Sequence, residues 1–207
     1  MPLSLAEFQA ELDKGGKVRN NKLYTIVSGT AWTTAEANAV SLGGHLVSIN
    51  SQEEQDFIKQ NFIDNDLSND VGKWIGLTDK DIESNWTWTD GTDITFTNWQ
   101  PGKPNDNRTD ETSIYSADYG LITTPSTPWN SEHGSWNDFV NDPAINNQSV
   151  SGIVEINLDD IYPTVDDELP IEGDLLIDEA SELGNYGFDT YKLLKSEIYI
   201  NKFKNRK

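Results

Sequence analysis

Apolar residues recur at two different periods along the chain, helical in the first third and strand-like afterwards. In "SLAEFQAEL" (4–12), Leu5, Phe8 and Leu12 fall on one face of a short helix that Gly15-Gly16 stops. "KLYTIVSG" (22–29) has the β-branched, alternating character of a strand. The stretch "TTAEANAVSLGG" (33–44) predicts a helix capped by Thr33 or Thr34, with Ala35, Ala39 and Leu42 on a shared face and Gly43-Gly44 at its end. "HLVSIN" (45–50) predicts a short strand. A further helix is expected from "SQEE" (51–54), where Ser51 and Glu54 form a capping box, and it should bury Phe57, Ile58 and Phe62.

From residue 73 onward the pattern shortens. "KWIGL" is a brief apolar strand, "NWTWTDG" alternates Trp86 and Trp88 into a turn, and "ITFTNW" alternates again. Residues 97–135 are dominated by Asn, Asp, Gly, Pro, Ser and Thr, the composition of a long loop. "SWNDF" and "SGIVEI" read as closing strands. Helices first and short strands afterwards predict an α+β domain that ends near Ile156. A long irregular segment inside a compact domain is a natural place for a site.

Charge narrows the partners. The 207 residues carry 35 acidic and 15 basic side chains, a net charge of −20. Such a field repels phosphate backbones and favours cations, so no nucleic-acid partner is expected. There is no cysteine, which excludes disulfides and thiolate metal sites. No apolar run reaches the length of a membrane span, and the first twenty residues lack the pattern of a cleavable secretory signal. Residues 157–190 hold eleven carboxylates and no Lys or Arg, whereas 192–207 are basic. Three segments are therefore expected: an N-terminal helical segment (1–21), the α+β domain (22–156), and an acidic C-terminal extension with a basic end (157–207). The extension either packs on the domain or serves as an arm for a homo- or hetero-oligomer.

In order and in spacing, "WTTA", "LGGHLVSI", "WIGL", "NWTWTDG", "FTNWQPGKPN", "WND" and "GIVEI" resemble a C-type lectin-like domain over roughly residues 22–156. The resemblance implies two helices packed on small antiparallel sheets, with calcium and sugar bound in the long loop. Ala39 stands where the family's first cysteine usually sits, which suggests a cysteine-free form of bacterial or phage type. The family's sugar-site calcium takes ligands from positions that are Lys103, Asn105, Glu111, Asn137 and Asp138 here. Its auxiliary calcium site maps onto Asp79, Glu83, Asp106 and Glu111. The chemistry is sound for most of these, because calcium takes about six to eight oxygen ligands and a rigid Pro turn can hold them together.

Lys103 is the exception. An ammonium donates only and cannot ligate a cation. Two unit charges about 4 Å apart repel by roughly 4 kcal/mol at an effective dielectric of about 20, and calcium doubles the charge product. Extracellular calcium modules bind with only about 4–5.5 kcal/mol. Lys103 is therefore expected either to carry its charge into solvent or to pair with Glu111 or Asp138 in place of the ion.

The remaining features weigh less. Trp74, Trp86, Trp88 and Trp99 are expected in the core, while Trp129 sits in a Pro-bounded loop where it could stack on a ligand. His45 and His133 lack the neighbours of a zinc site. "DNDLSND" (64–70) begins like a calcium loop but has Asn69 where the sharp turn needs glycine, and it reads as solvated. No nucleophile, base and orienting group occur together, so no enzyme is expected. The expected function is recognition of a glycan or another surface ligand through the long loop, with calcium assistance open. The alternative is a structural or protein-binding subunit of a surface or virion assembly that uses the fold without calcium. Either reading places the protein outside the cell, on its surface or on a virion.

Overall fold

The computed structural model describes residues 3–105, 116–128, 133–141 and 149–160. The chain divides into two compact units, Met1–Asp167 and Glu168–Lys207, and all described residues belong to the first. Its elements run α1 (Leu5–Asp13), β1 (Lys17–Arg19), β2 (Lys22–Val27), α2 (Trp32–Ser41), β3 (His45–Leu46) and α3 (Gln52–Ile58), the last extended by a wide turn at Lys59–Ile63. Then come β4 (Gly72–Thr78), β5 (Thr87–Trp88), β6 (Tyr119–Thr123), β7 (Trp136–Phe139) and β8 (Val150–Asn157). The architecture is α+β. Among the described residues it carries the expected N-terminal helix α1 and the two expected domain helices α2 and α3, with one sheet in the order β1-β2-β8-β4-β6-β7, β3 on β8 and β5 on β4. The β4–β8 pair is parallel, so the sheet is mixed rather than purely antiparallel.

Local chemistry explains the helix starts, and twice it differs from the sequence reading. Ser4 and Glu7 form a reciprocal capping box on α1. For α2 the N-cap is Ala31, which has no side chain to offer, and neither Thr33 nor Thr34 caps it. Asn141 does so from across the fold: its carbonyl accepts from Trp32 N at 3.0 Å and its Oδ1 from Thr33 N at 3.1 Å. At α3, Ser51 Oγ accepts from Glu54 N at 3.1 Å as expected, but the Glu54 carboxylate does not return to Ser51. It accepts instead from Asn50 N at 3.1 Å and from the buried Tyr24 hydroxyl at 2.8 Å. Burial decides this outcome, because the tyrosine O–H needs an acceptor and Glu54 lies within reach.

The stretch read as continuous loop contains β6, a strand buried along its whole length. It pairs with β4 on one side and β7 on the other. The core beneath is built on Trp136, fully buried, with the rings of Trp88, Phe96 and Trp99 meeting it edge-on at 5.6, 5.9 and 5.8 Å. Its indole N–H donates to Gln55 Oε1 at 2.8 Å. Trp74 and Trp88 are buried, and Trp86 and Trp99 pack partly buried against the same cluster. Gly76, the glycine of "WIGL", is required by space: a Cβ there would lie 2.5 Å from Leu46 O and 2.8 Å from Thr89 Oγ1.

Beside Tyr24 on the core-facing side of the sheet, Glu155 is buried on β8 with both carboxylate oxygens 3.1 Å from Lys22 Nζ. Burial pushes its pKa up to about 7, against the pull of Lys22 and with help from Glu54 and Asp90. A carboxyl whose folded pKa is raised favours the folded state when protonated. Its stabilising share is complete below about pH 4 and is lost as pH rises to about 7. We expect Glu155→Gln to match the wild type in urea denaturation at pH 5 and to exceed it at pH 8. Asn141→Ala is expected to cost about 0.5–2 kcal/mol by the same measurement, the range for a lost helix cap.

Candidate functional site

The site is assembled by a backbone bracket around Trp136. Trp136 N donates to Asn98 O at 2.8 Å and Gln100 N donates to Trp136 O at 2.8 Å. Lys103 N then closes a turn onto Gln100 O at 2.9 Å, with Gly102 at φ +83°, where a side chain would be strained. The Lys103–Pro104 peptide is cis. The chain thus returns over β7, and Asn105 N donates to Asp138 Oδ2 at 2.9 Å.

Lys103 Nζ lies 2.9 Å from Asp138 Oδ1 and donates to Asn105 Oδ1 at 2.6 Å. The Asp138 side chain is 0% exposed and that of Lys103 is 24% exposed. A buried carboxylate needs a charge partner or donors, and here it has both. Next to it, Asn137 is buried and its Oδ1 accepts no hydrogen bond among the described residues, nor does the buried Oε1 of the half-buried Gln100. Of the residues the resemblance assigned to the sugar-site calcium, Lys103, Asn105 and Asp138 meet directly and Asn137 adjoins them. Glu111, Asp106 and Trp129 lie outside the described residues. These contacts do not fit a calcium ion at the sugar-site position, since the ammonium occupies the space between the Asn105 and Asp138 oxygens that would hold it.

A second acidic corner lies after β4. Asp79 is buried, and its Oδ2 accepts from Ser84 N at 2.9 Å while Oδ1 accepts no hydrogen bond among the described residues. Its own N–H donates to Asp118 O at 3.1 Å. Burial pushes the Asp79 carboxyl up to about 7, and the negative charges of Glu83 and Asp118 add to this against the Ser84 bond. Asp118 is itself buried and accepts from Ser116 Oγ. The sequence reading missed Asp118, although its position just ahead of an apolar run placed it at a strand start. Asp79 and Glu83 are the two auxiliary-site residues that lie among the described ones.

Comparison with known proteins identifies the family and the fold. The lectin C-type domain family matches residues 28–140, more than half of the chain. The chain belongs to that family, a non-enzymatic family of ligand-binding domains. It is 43% identical over 93 residues to the C-type lectin domain family 4 member F of Rattus norvegicus, covering 42% of this chain and 16% of that protein. It superposes on the mouse scavenger receptor C-type lectin carbohydrate-recognition domain with a TM-score of 0.53 at 28% identity, covering 69% of this chain and 94% of that one. A calcium-independent type II antifreeze protein gives a TM-score of 0.52 at 26% identity, over 69% and 92% of the two chains. The chain spans well under two thirds of the length of the curated relatives it matches. Those relatives come from Rattus norvegicus, Brachyopsis segaliensis, Mus musculus and Homo sapiens, so the expected bacterial or phage type finds no support among them. No described helix is long and apolar enough to cross a membrane.

Removing the cation from a buried carboxylate leaves that carboxylate with its desolvation cost. We expect Lys103→Ala to lower stability by about 1–3 kcal/mol in chemical denaturation, whereas Lys80→Ala, on an exposed residue, leaves it within about 0.5 kcal/mol.

Proposed function

We propose that this domain binds a glycan or another surface ligand at the Lys103–Asn105–Asn137 face without calcium at the sugar-site position. The observation that carries the reading is the Lys103 ammonium, 2.9 Å from Asp138 Oδ1 and 2.6 Å from Asn105 Oδ1. One N–H donates to Asn105 Oδ1 and the ammonium is ion-paired with Asp138, which leaves donor capacity on a partly exposed side chain for a ligand acceptor. Asp138 neutralises the ammonium and the chain carries a net −20, so neutral acceptors such as hydroxyl and amide carbonyl groups suit the site better than polyanions. The calcium-independent antifreeze protein supports the premise that this fold can serve without the ion.

Calcium keeps a separate place in the proposal. Asp79 and Glu83, with Asp106 and Glu111, would hold a weak auxiliary ion that orders the loop and takes no direct part in ligand contact. Extracellular placement, as a secreted or cell-surface protein, accords with relatives such as the versican core protein and the immunoglobulin epsilon Fc receptor. The second reading is a protein-binding or assembly subunit, favoured by the abrupt change from acidic to basic composition in the C-terminal extension.

A glycan array probed with and without chelator tests the choice. Hits that persist in chelator and vanish in Lys103→Ala are expected. Hits abolished by chelator in the wild type refute calcium-free binding, and an empty array together with stable oligomers in solution favours the assembly subunit.

A further inference from the structure

The loop 64–70, expected to be solvated, instead closes over a buried ammonium. Lys73 on β4 is 3% exposed. Its Nζ lies 2.7 Å from Asp70 Oδ2 and 3.0 Å from each of Asp66 Oδ2, Ser68 Oγ and Ser151 Oγ. Ser149 Oγ and Ser151 Oγ donate to the two Asp70 oxygens at 2.6 and 2.7 Å. Burial would raise the Asp70 pKa, but the hydrogen bonds from Lys73, Ser149 and Ser151 outweigh it and hold the carboxyl below its usual range.

The donor set is that of a hard-cation site. Asp66, Ser68 and Asp70 alternate along the loop, so their oxygens converge on one side, and the β8 serine completes the shell from another element. The partners around the nitrogen are oxygens, two of them from carboxylates, which leaves the occupied cage one positive charge short of neutral. The loop lacks the glycine that would let it wrap an ion by itself, and Ser151 supplies the missing side.

We propose that this is a cation cage whose resident cation is the Lys73 ammonium, tethered to β4, and that vacating it opens a site for a divalent ion such as calcium. In the wild type the tether anchors the loop to β8 with no metal. The distances of 2.7–3.0 Å exceed the calcium–oxygen range of about 2.3–2.6 Å. A calcium ion would therefore draw the loop inward by a few tenths of an ångström.

Thermal denaturation of the full chain over a calcium titration tests this with three proteins: wild type, Lys73→Ala and Lys73→Ala/Asp66→Asn. Lys73→Ala should lose stability and regain it in millimolar calcium, with a Tm rise of about 3–6 °C beyond any wild-type response. The double variant should show no such excess. A Lys73→Ala protein that folds without that response, or that stays unfolded in saturating calcium, overturns the proposal. The wild type gives an independent readout. The Lys73 ammonium should yield a resolved ¹H–¹⁵N correlation at neutral pH, where exposed lysine ammonium protons exchange too fast to be seen, and its absence would overturn the cage.

Discussion

The two hydrogen bonds that bracket Trp136 decide where every other part of the site can be. One strand-edge residue uses its N–H on Asn98 and its carbonyl on Gln100, and its ring fills the centre of the aromatic core. The loop from Asn98 to Asn105 is therefore fixed to the aromatic core. The two residues after Trp136 are Asn137 and Asp138, so the strand that anchors the loop also carries the polar groups beneath it. A change that loosens the indole would act at once on packing, loop path and site.

Given that anchoring, the Lys103–Asp138 pair is a question of energy balance. Asp138 is wholly buried, and its carboxylate would be costly alone. A tethered ammonium supplies the charge with little loss of freedom, because Lys103 is already held by the turn onto Gln100. A free divalent ion would have to displace it and bind a cage of altered charge. The same solution occurs at Lys73, where carboxylates from a flexible-looking loop gather around an ammonium on a central strand. In both places the positive charge belongs to the chain and cannot dissociate.

Much of the fold was legible because helix faces, caps and the aromatic alternation are local signals. What escaped depended on distant partners. β6 was absorbed into a loop because it is buried along its length and shows no alternation, and because polar residues surround it. The cap of α2 comes from Asn141, more than a hundred residues downstream, which no local pattern announces. The meeting of Lys103 with Asp138 was one of two outcomes the sequence left open, since the direction of a long flexible side chain is set by what folds above it. The loop 64–70 read as solvated for the same reason: Lys73 sat in an apolar strand with nothing to say that its ammonium turned back.

The remote cap on α2 bears on where such a domain can fold. Asn141 ties the helix to the strand end by two hydrogen bonds, and Ala39 on the same helix is packed without exposure. No thiol is present to oxidise, exchange or mispair. The architecture should therefore be indifferent to reductant, forming as readily in a reducing cytosol as in an oxidising lumen.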